Sequence, residues 1–154
     1  GGTLVTAAAN MRPDLFKAVI AAHPLVDLLN TLLDETIHLT PAGYTEFGNP
    51  HEKEYFDYIK SYSPYDNIAK HDYPNMLISN GLSDPRVGYW EAAKYAAKIR
   101  ELKTNNSVIL LKTDMEAGHF GSTDRFDCLK DHAAQYAFIF KVFGIKAFED
   151  GEKK

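Results

Sequence analysis

The sequence predicts an α/β protein with a mostly parallel sheet flanked by helices. Two observations carry that prediction. Short, nearly all-apolar runs of strand length recur at residues 17–22 (KAVIAA), 75–79 (NMLIS) and 107–111 (SVILL). Between and after them lie stretches of helical length with apolar residues at helical spacing. Continuous apolar runs suit strands buried on both faces, whereas a one-sided periodic pattern suits a surface helix. Strands alternating with helices pack in layers around a parallel sheet. Right-handed crossovers then place the loops that leave the strands on one edge of it.

Each element follows in order. Residues 3–11 (TLVTAAANM) are Ala-rich and predict a helix opened by two glycines, and residues 13–16 (PDLF) predict a turn. The run at 17–22 is stopped by Pro24. Residues 26–33 fit a short helix or a loop. Residues 36–50 hold Pro41, Gly43, Gly48 and Pro50, which predicts irregular backbone. Residues 51–62 place Tyr55, Phe56, Ile59 and Tyr62 at helical spacing. Ser63-Pro64 then suits a cap with proline opening a short turn, SPYDNI. The strand at 75–79 leads into the loop NGLSDPRV. Residues 89–103 predict an amphipathic helix, with Trp90, Ala93, Ala97 and Ile99 on one side and Glu91, Lys94, Lys98 and Glu101 on another. The strand at 107–111 leads into KTDMEAGHFGS, residues 123–143 predict a long closing helix, and residues 146–154 a frayed charged tail. The second half thus repeats one strand–loop–helix unit twice, and all 154 residues read as one partial α/β unit without a second domain, a linker or a low-complexity stretch.

Composition narrows the function. Apolar residues make up 45% and charged residues 25%, which argues against disorder. The net charge of −4 argues against a nucleic-acid partner. No apolar run approaches the roughly 20 residues of a membrane-spanning helix, and no signal peptide is visible. Cys128 is the single cysteine, so no internal disulfide forms and a reducing compartment is permitted. Cytoplasm and periplasm both remain open. The chain opens Gly1-Gly2-Thr3 without Met, which predicts a piece of a longer polypeptide.

The chemistry-bearing residues fall in two strand-end loops. Asp84 and His119 lie 35 positions apart, each after a predicted buried strand. Sites in such sheets form at the C-terminal ends of strands. An Asp and a His there suit a catalytic triad: the carboxylate fixes the imidazole tautomer, and the imidazole takes the nucleophile's proton. The chain order Asp then His is that of α/β-hydrolases. Taken alone, Asp84 also reads as a turn residue or cap, and His119 as a loop residue. Gly1-Gly2 before a small-residue helix reads either as the tail of a G-x-S-x-G elbow, with its Ser two residues before Gly1, or as a generic glycine-led helix.

Other features carry less. The six histidines (His23, His38, His51, His71, His119, His132) show no metal-ligand spacing of the H-E-x-x-H or Cys/His kind. His23 follows a strand and could line the site, but a packed or capping role is the favoured reading. Cys128 is read as a small core residue, and Tyr136, Phe138, Phe140 and Phe143 as core packing. Glu52, Lys53 and Glu54 suit a solvated helix face.

Several stretches resemble the prolyl oligopeptidase family, particularly its oligopeptidase B branch. They are Gly1-Gly2-Thr3-Leu4, residues 10–19 (NMRPDLFKAV), Leu33-Asp34-Glu35, Phe47-Gly48-Asn49-Pro50, residues 60–67 (KSYSPYDN), the D-x-R-V loop, Tyr89-Trp90-Glu91, and Thr113-Asp114-Met115 with Gly118-His119. The resemblance implies the C-terminal half of an α/β-hydrolase fold, with Asp84 as triad carboxylate and His119 as general base. It implies a serine just before Gly1, an oxyanion hole and a β-propeller supplied by further sequence, short peptide substrates and no cofactor. Arg86 matches the family arginine that contacts bound peptide, and a guanidinium can donate two hydrogen bonds to a carboxylate or carbonyls.

One departure stands out. Relatives place acidic residues before F/W-G-N-P to recognise Arg or Lys at the P1 position, the residue on the acyl side of the cut. Here two of those positions are Gly43 and Thr45, and only Glu46 remains nearby. This predicts a weakened or altered P1 preference. The expected function is serine-type peptide hydrolysis in the intact protein, with the isolated chain inactive. Esterases, other peptidases of the same class and a non-catalytic binding module are the alternatives. Half a hydrolase sheet leaves an open edge and an uncovered apolar face, which predicts self-association into a homo-oligomer.

Overall fold

The structure, a computed structural model, describes residues 1–121 and 126–146. Three strands, β1 (Ala18–Ala22), β2 (Asn75–Gly81) and β3 (Ile109–Asp114), form one parallel sheet in the order β1-β2-β3. Val19, Met76 and Ile109 stand in register, as do Ala21, Ile78 and Leu111. Alternate residues of a strand share a face, so these side chains form one apolar surface. Helices α1 (Gly2–Met11) and α5 (Tyr89–Leu102) pack on it. Tyr95 of α5 is fully buried there, and its hydroxyl donates to Asn10 Oδ1 of α1 at 2.9 Å. Leu77 and Leu110, of opposite parity, face a cleft shared with Ala134, Ala137 and Phe138 of α6 (Asp127–Phe143). The arrangement is three layers, helix–sheet–helix, as the alternating pattern predicts.

Between β1 and β2 the chain builds a helical annex of α2 (Leu28–Leu33), α3 (Thr40–Phe47) and α4 (Lys53–Tyr62). Leu28, Leu29, Leu32 and Ile59 give it a small core of its own. Helix α3 corrects the expectation of irregular backbone. Pro41 sits in its first turn, where the missing amide has no intrahelical partner to lose, and Gly48 ends it with φ 91°. Proline and glycine here bound a helix instead of preventing one.

Other boundaries and faces shift for physical reasons. β3 starts later than expected and runs to Asp114, since its register with β2 continues past the apolar run through Thr113 and Asp114, where Thr113 Oγ1 also donates to Asn80 Oδ1 at 2.8 Å. Helix α5 buries Glu91, Ala92, Tyr95, Ala96 and Ile99, while Trp90 is largely exposed. The buried face is thus rotated from the one read off the apolar residues, because a charged residue occupies it. On α6, Phe138 is buried, but Tyr136 and Phe143 are exposed and Phe140 is half-buried. Positions two apart point to opposite sides of a helix, so one row cannot all be core. Cys128 is half-buried rather than in the core. The expected helix start at 123–125 and all but the first residue of the charged tail lie outside the described residues. Among the described residues β1 and β3 each keep one unpaired edge, and no helix is long and apolar enough to cross a membrane.

Candidate active site

Strands β2 and β3 end side by side, with Gly81 opposite Asp114. Each then enters a loop shaped by the same local device. Asp84 Oδ1 accepts the amides of Arg86 at 2.8 Å and Val87 at 3.0 Å. Asp114 Oδ1 accepts those of Glu116 at 2.9 Å and Ala117 at 3.0 Å. A short carboxylate that captures amides two and three residues on turns the backbone sharply. The loops also hold each other: Leu82 N donates to Asp114 O at 2.8 Å and Ser83 N to Ala117 O at 3.2 Å. Gly81 permits this contact, since a Cβ there would stand 2.3 Å from the Ala117 carbonyl oxygen.

The outcome is that His119 meets Asp84. His119 Nδ1 lies 2.8 Å from Asp84 Oδ2. A second imidazole shares that oxygen: His23 Nδ1 stands 3.0 Å from it. His23 follows β1, continues the ladder through its amide to Ser79 O at 2.8 Å, and then takes a left-handed φ of 46°. The two rings lie 5.2 Å apart, inclined at 55°. Asp84 is shut off from solvent at its side chain, whereas His23 and His119 keep 16% and 24% of theirs exposed. The loops that leave all three strands therefore each send one side chain to the same point.

Electrostatics fix the protons. Burial pushes the Asp84 carboxyl up. The amides of Val87 and Arg86, and then His119 and His23, outweigh that and hold it below the ordinary carboxylate range. Asp84 is then ionised at neutral pH and can only accept. Each Nδ1 then donates its hydrogen to the carboxylate, which in a neutral ring leaves the Nε2 lone pair available. An imidazole held in this tautomer by a buried carboxylate can take a proton from a hydroxyl and pass it to a leaving group.

A cleft of about 360 Å³ opens beside the imidazoles, with Gly1, Gly2, His23, His119, Arg86 and Glu46 in its walls. Gly2 brings the chain start against this rim: a Cβ on it would fall 2.5 Å from Pro24 Cα. Of the residues singled out from sequence, Asp84 and His119 meet directly, and Arg86 and Glu46 line the cleft. Arg86 is exposed, with its guanidinium 4.9 Å from the centre of the Phe120 ring. Glu46 is exposed as well. Gly43 lies in the same wall as Glu46.

Two residues escaped the sequence reading. His23 is not a bystander but the second partner of Asp84. The signal was its position after β1, matching those of Asp84 and His119 after β2 and β3. Glu91 is 1% exposed, and its carboxylate accepts the amides of Val26 at 3.0 Å and Asp27 at 2.7 Å and the Thr31 hydroxyl at 2.6 Å. It ties α5 to the segment after β1, and nothing in its helical spacing announced that.

The prolyl oligopeptidase family model matches residues 1–146. The chain belongs to the prolyl oligopeptidase family. It is 50% identical to Protease 2 of Moraxella lacunata over 149 residues, which is 97% of this chain and 22% of that protein. It is 45% identical to dipeptidyl aminopeptidase BI of Pseudoxanthomonas mexicana over 94% of this chain and 20% of that protein. Oligopeptidase B from Leishmania major superposes with a TM-score of 0.91 at 50% identity, over 93% of this chain and 20% of that one. Oligopeptidase B from Trypanosoma brucei, solved with covalently bound antipain, superposes with a TM-score of 0.92 at 49% identity, over 95% of this chain and 21% of that one. The fold is the α/β-hydrolase fold of the prolyl oligopeptidase family, and the chain spans about a fifth of the length of these relatives.

Proposed function

We propose that this chain carries the carboxylate and the general base of a serine peptidase that cleaves short peptides. The observation that supports it is the 2.8 Å contact between His119 Nδ1 and the buried Asp84 Oδ2, at the rim where the chain begins. The nucleophile is a serine two positions before Gly1, and further sequence supplies the oxyanion hole and the β-propeller that restricts access. The serine oxygen attacks the peptide carbonyl while its proton passes to His119 Nε2. Asp84 stabilises the resulting imidazolium. His119 then returns the proton to the departing amine, leaving an acyl-enzyme, and water repeats the sequence to release the acid.

Arg86 contributes a guanidinium to the cleft that can hold a peptide carbonyl or carboxylate. The cleft wall formed by Leu25, Leu32, Ile37 and Leu39 is apolar, and Glu46 is its acidic member. Preference for Arg or Lys at P1 is therefore weaker than where two carboxylates face the side chain. The names of the curated relatives, Protease 2 and a dipeptidyl aminopeptidase, support peptide substrates over simple esters.

The test is labelling of the full-length protein with a serine-directed fluorophosphonate, followed by rates on matched Arg-, Lys- and Pro-site peptides and an ester. Labelling at the residue two before Gly1, lost in His119→Ala, is the expected result. Absence of any labelled serine would leave the binding-module reading. An Arg preference equal to that of Leishmania major oligopeptidase B would remove the altered-P1 reading alone. The isolated 154-residue chain is expected to show no turnover.

A further inference from the structure

The triad reading needs one imidazole on Asp84, yet the structure supplies two. His23, Asp84 and His119 offer two imidazole nitrogens and one carboxylate oxygen, all within 4.8 Å of one another. We propose that these three residues form an inhibitory site for a borderline divalent cation of the zinc type, with His23 as the ligand that completes it. The inhibition half of this proposal rests on the peptidase reading, but the binding half does not.

The geometry requires little adjustment. Zinc holds imidazole nitrogen and carboxylate oxygen at about 2.0–2.2 Å, so neighbouring ligands around a tetrahedral ion stand roughly 3.4 Å apart. Here His119 Nδ1 and His23 Nδ1 lie 2.8 Å and 3.0 Å from Asp84 Oδ2. Opening each contact by about half an ångström, with the two nitrogens, which lie within 4.8 Å of each other, brought to the same spacing, admits the ion at those bond lengths. Asp84 is already fixed for the task, because its other oxygen is held by the Arg86 and Val87 amides. Such outer bonds orient a ligating carboxylate. The two imidazoles are part-exposed along the cleft, which gives the ion a way in and leaves a fourth position for water. Two nitrogens and one oxygen favour zinc-like ions over calcium or magnesium, which take oxygen ligands.

Inhibition follows from proton bookkeeping on the rings. At present each Nδ1 carries the hydrogen that it gives to Asp84. To bind the ion, each neutral imidazole must move its proton to Nε2 and offer the Nδ1 lone pair. His119 Nε2 then becomes an N–H donor and can no longer accept the serine proton. The ion also occupies the carboxylate that would stabilise the imidazolium. No bond to substrate forms and no redox step is involved, so a chelator restores activity.

The test uses zinc chloride on the full-length protein, with calcium chloride as the control cation. Zinc binding is read by competition with a chromophoric chelator, and coordination by the visible bands of cobalt(II) put in zinc's place. Peptide hydrolysis is followed in parallel. The expected result is one zinc per chain at the site, chelator-reversible inhibition, and no effect of calcium. His23→Asn is the decisive variant, because asparagine tolerates the left-handed backbone at this position but ligates zinc poorly. Loss of an outer-shell partner alone weakens a zinc site about 10–100-fold, so loss of a direct ligand should raise the zinc concentration for half-inhibition by about 100-fold or more. His23→Gly serves as a second variant with the same expectation, and each is compared with its own zinc-free rate. An unchanged half-inhibition concentration in both variants, or no zinc bound by the parent protein, overturns the proposal. Zinc binding without hydrolysis in any sample would overturn the peptidase reading, while the zinc affinity of the His23 variants, read by chelator competition, still decides the site.

Discussion

Asp84 and Glu91 are two buried carboxylates seven positions apart, and they show what separates a reactive charge from a structural one. Each accepts two backbone amides and so is held in one orientation. Their remaining oxygens differ. That of Glu91 accepts the Thr31 hydroxyl, a group that does not titrate near neutrality, and the carboxylate is fully occupied in joining α5 to the segment after β1. That of Asp84 faces two imidazoles, each of which can gain or give a proton. Burial alone therefore does not mark function. The chemical type of the partner does.

Four experiments would break or sharpen that contrast. The largest effect is expected for Asp84→Asn in the full-length protein. The amide can keep an oxygen on the Arg86 and Val87 amides but no longer enforces the Nδ1–H tautomer, so kcat should fall about 10⁴-fold, with only a modest fall in unfolding midpoint at neutral pH. Glu91→Ala should give the reverse pattern in stability: three donors lose their acceptor, at a cost of about 3 kcal/mol or more in urea unfolding. If Glu91→Ala unfolds like the parent, the structural half of the comparison is wrong. Gly81→Ala tests the mutual placement of the loops. Its Cβ would press on the Ala117 carbonyl and displace His119, and a displacement near 1 Å costs about 100-fold in kcat/KM.

The smallest effect is the pH dependence of folding. The Asp84 carboxyl is held below its unfolded value, so its contribution to stability is present above the ordinary carboxylate range near pH 4 and is lost as pH falls through the depressed value. The difference in urea midpoint between the parent chain and Asp84→Asn should shrink between about pH 7 and pH 2. A constant difference across that range would mean that Asp84 does not titrate with folding.

Much of this was legible before any coordinates. The three apolar runs were the three strands, because a strand covered on both faces needs apolar residues at every position and leaves an unbroken run. The pairing of Asp84 with His119 followed from their places after successive parallel strands, since such strands end on one edge. The annex was less legible, as Pro41 and Gly48 signal a break and a helix boundary in the same letters. The buried face of α5 was misplaced because Glu91 looks like a solvated residue until its partners are known.

The sequence by itself determined the layer order, the family and which two loops carry an acid and a base. Those properties are local or periodic, and local chemistry dictates them. Only the tertiary structure decided that His23 shares the carboxylate with His119 and that Glu91 is buried. Both facts depend on contacts between residues about 60 positions apart, set by sheet register and helix rotation, which no single segment encodes.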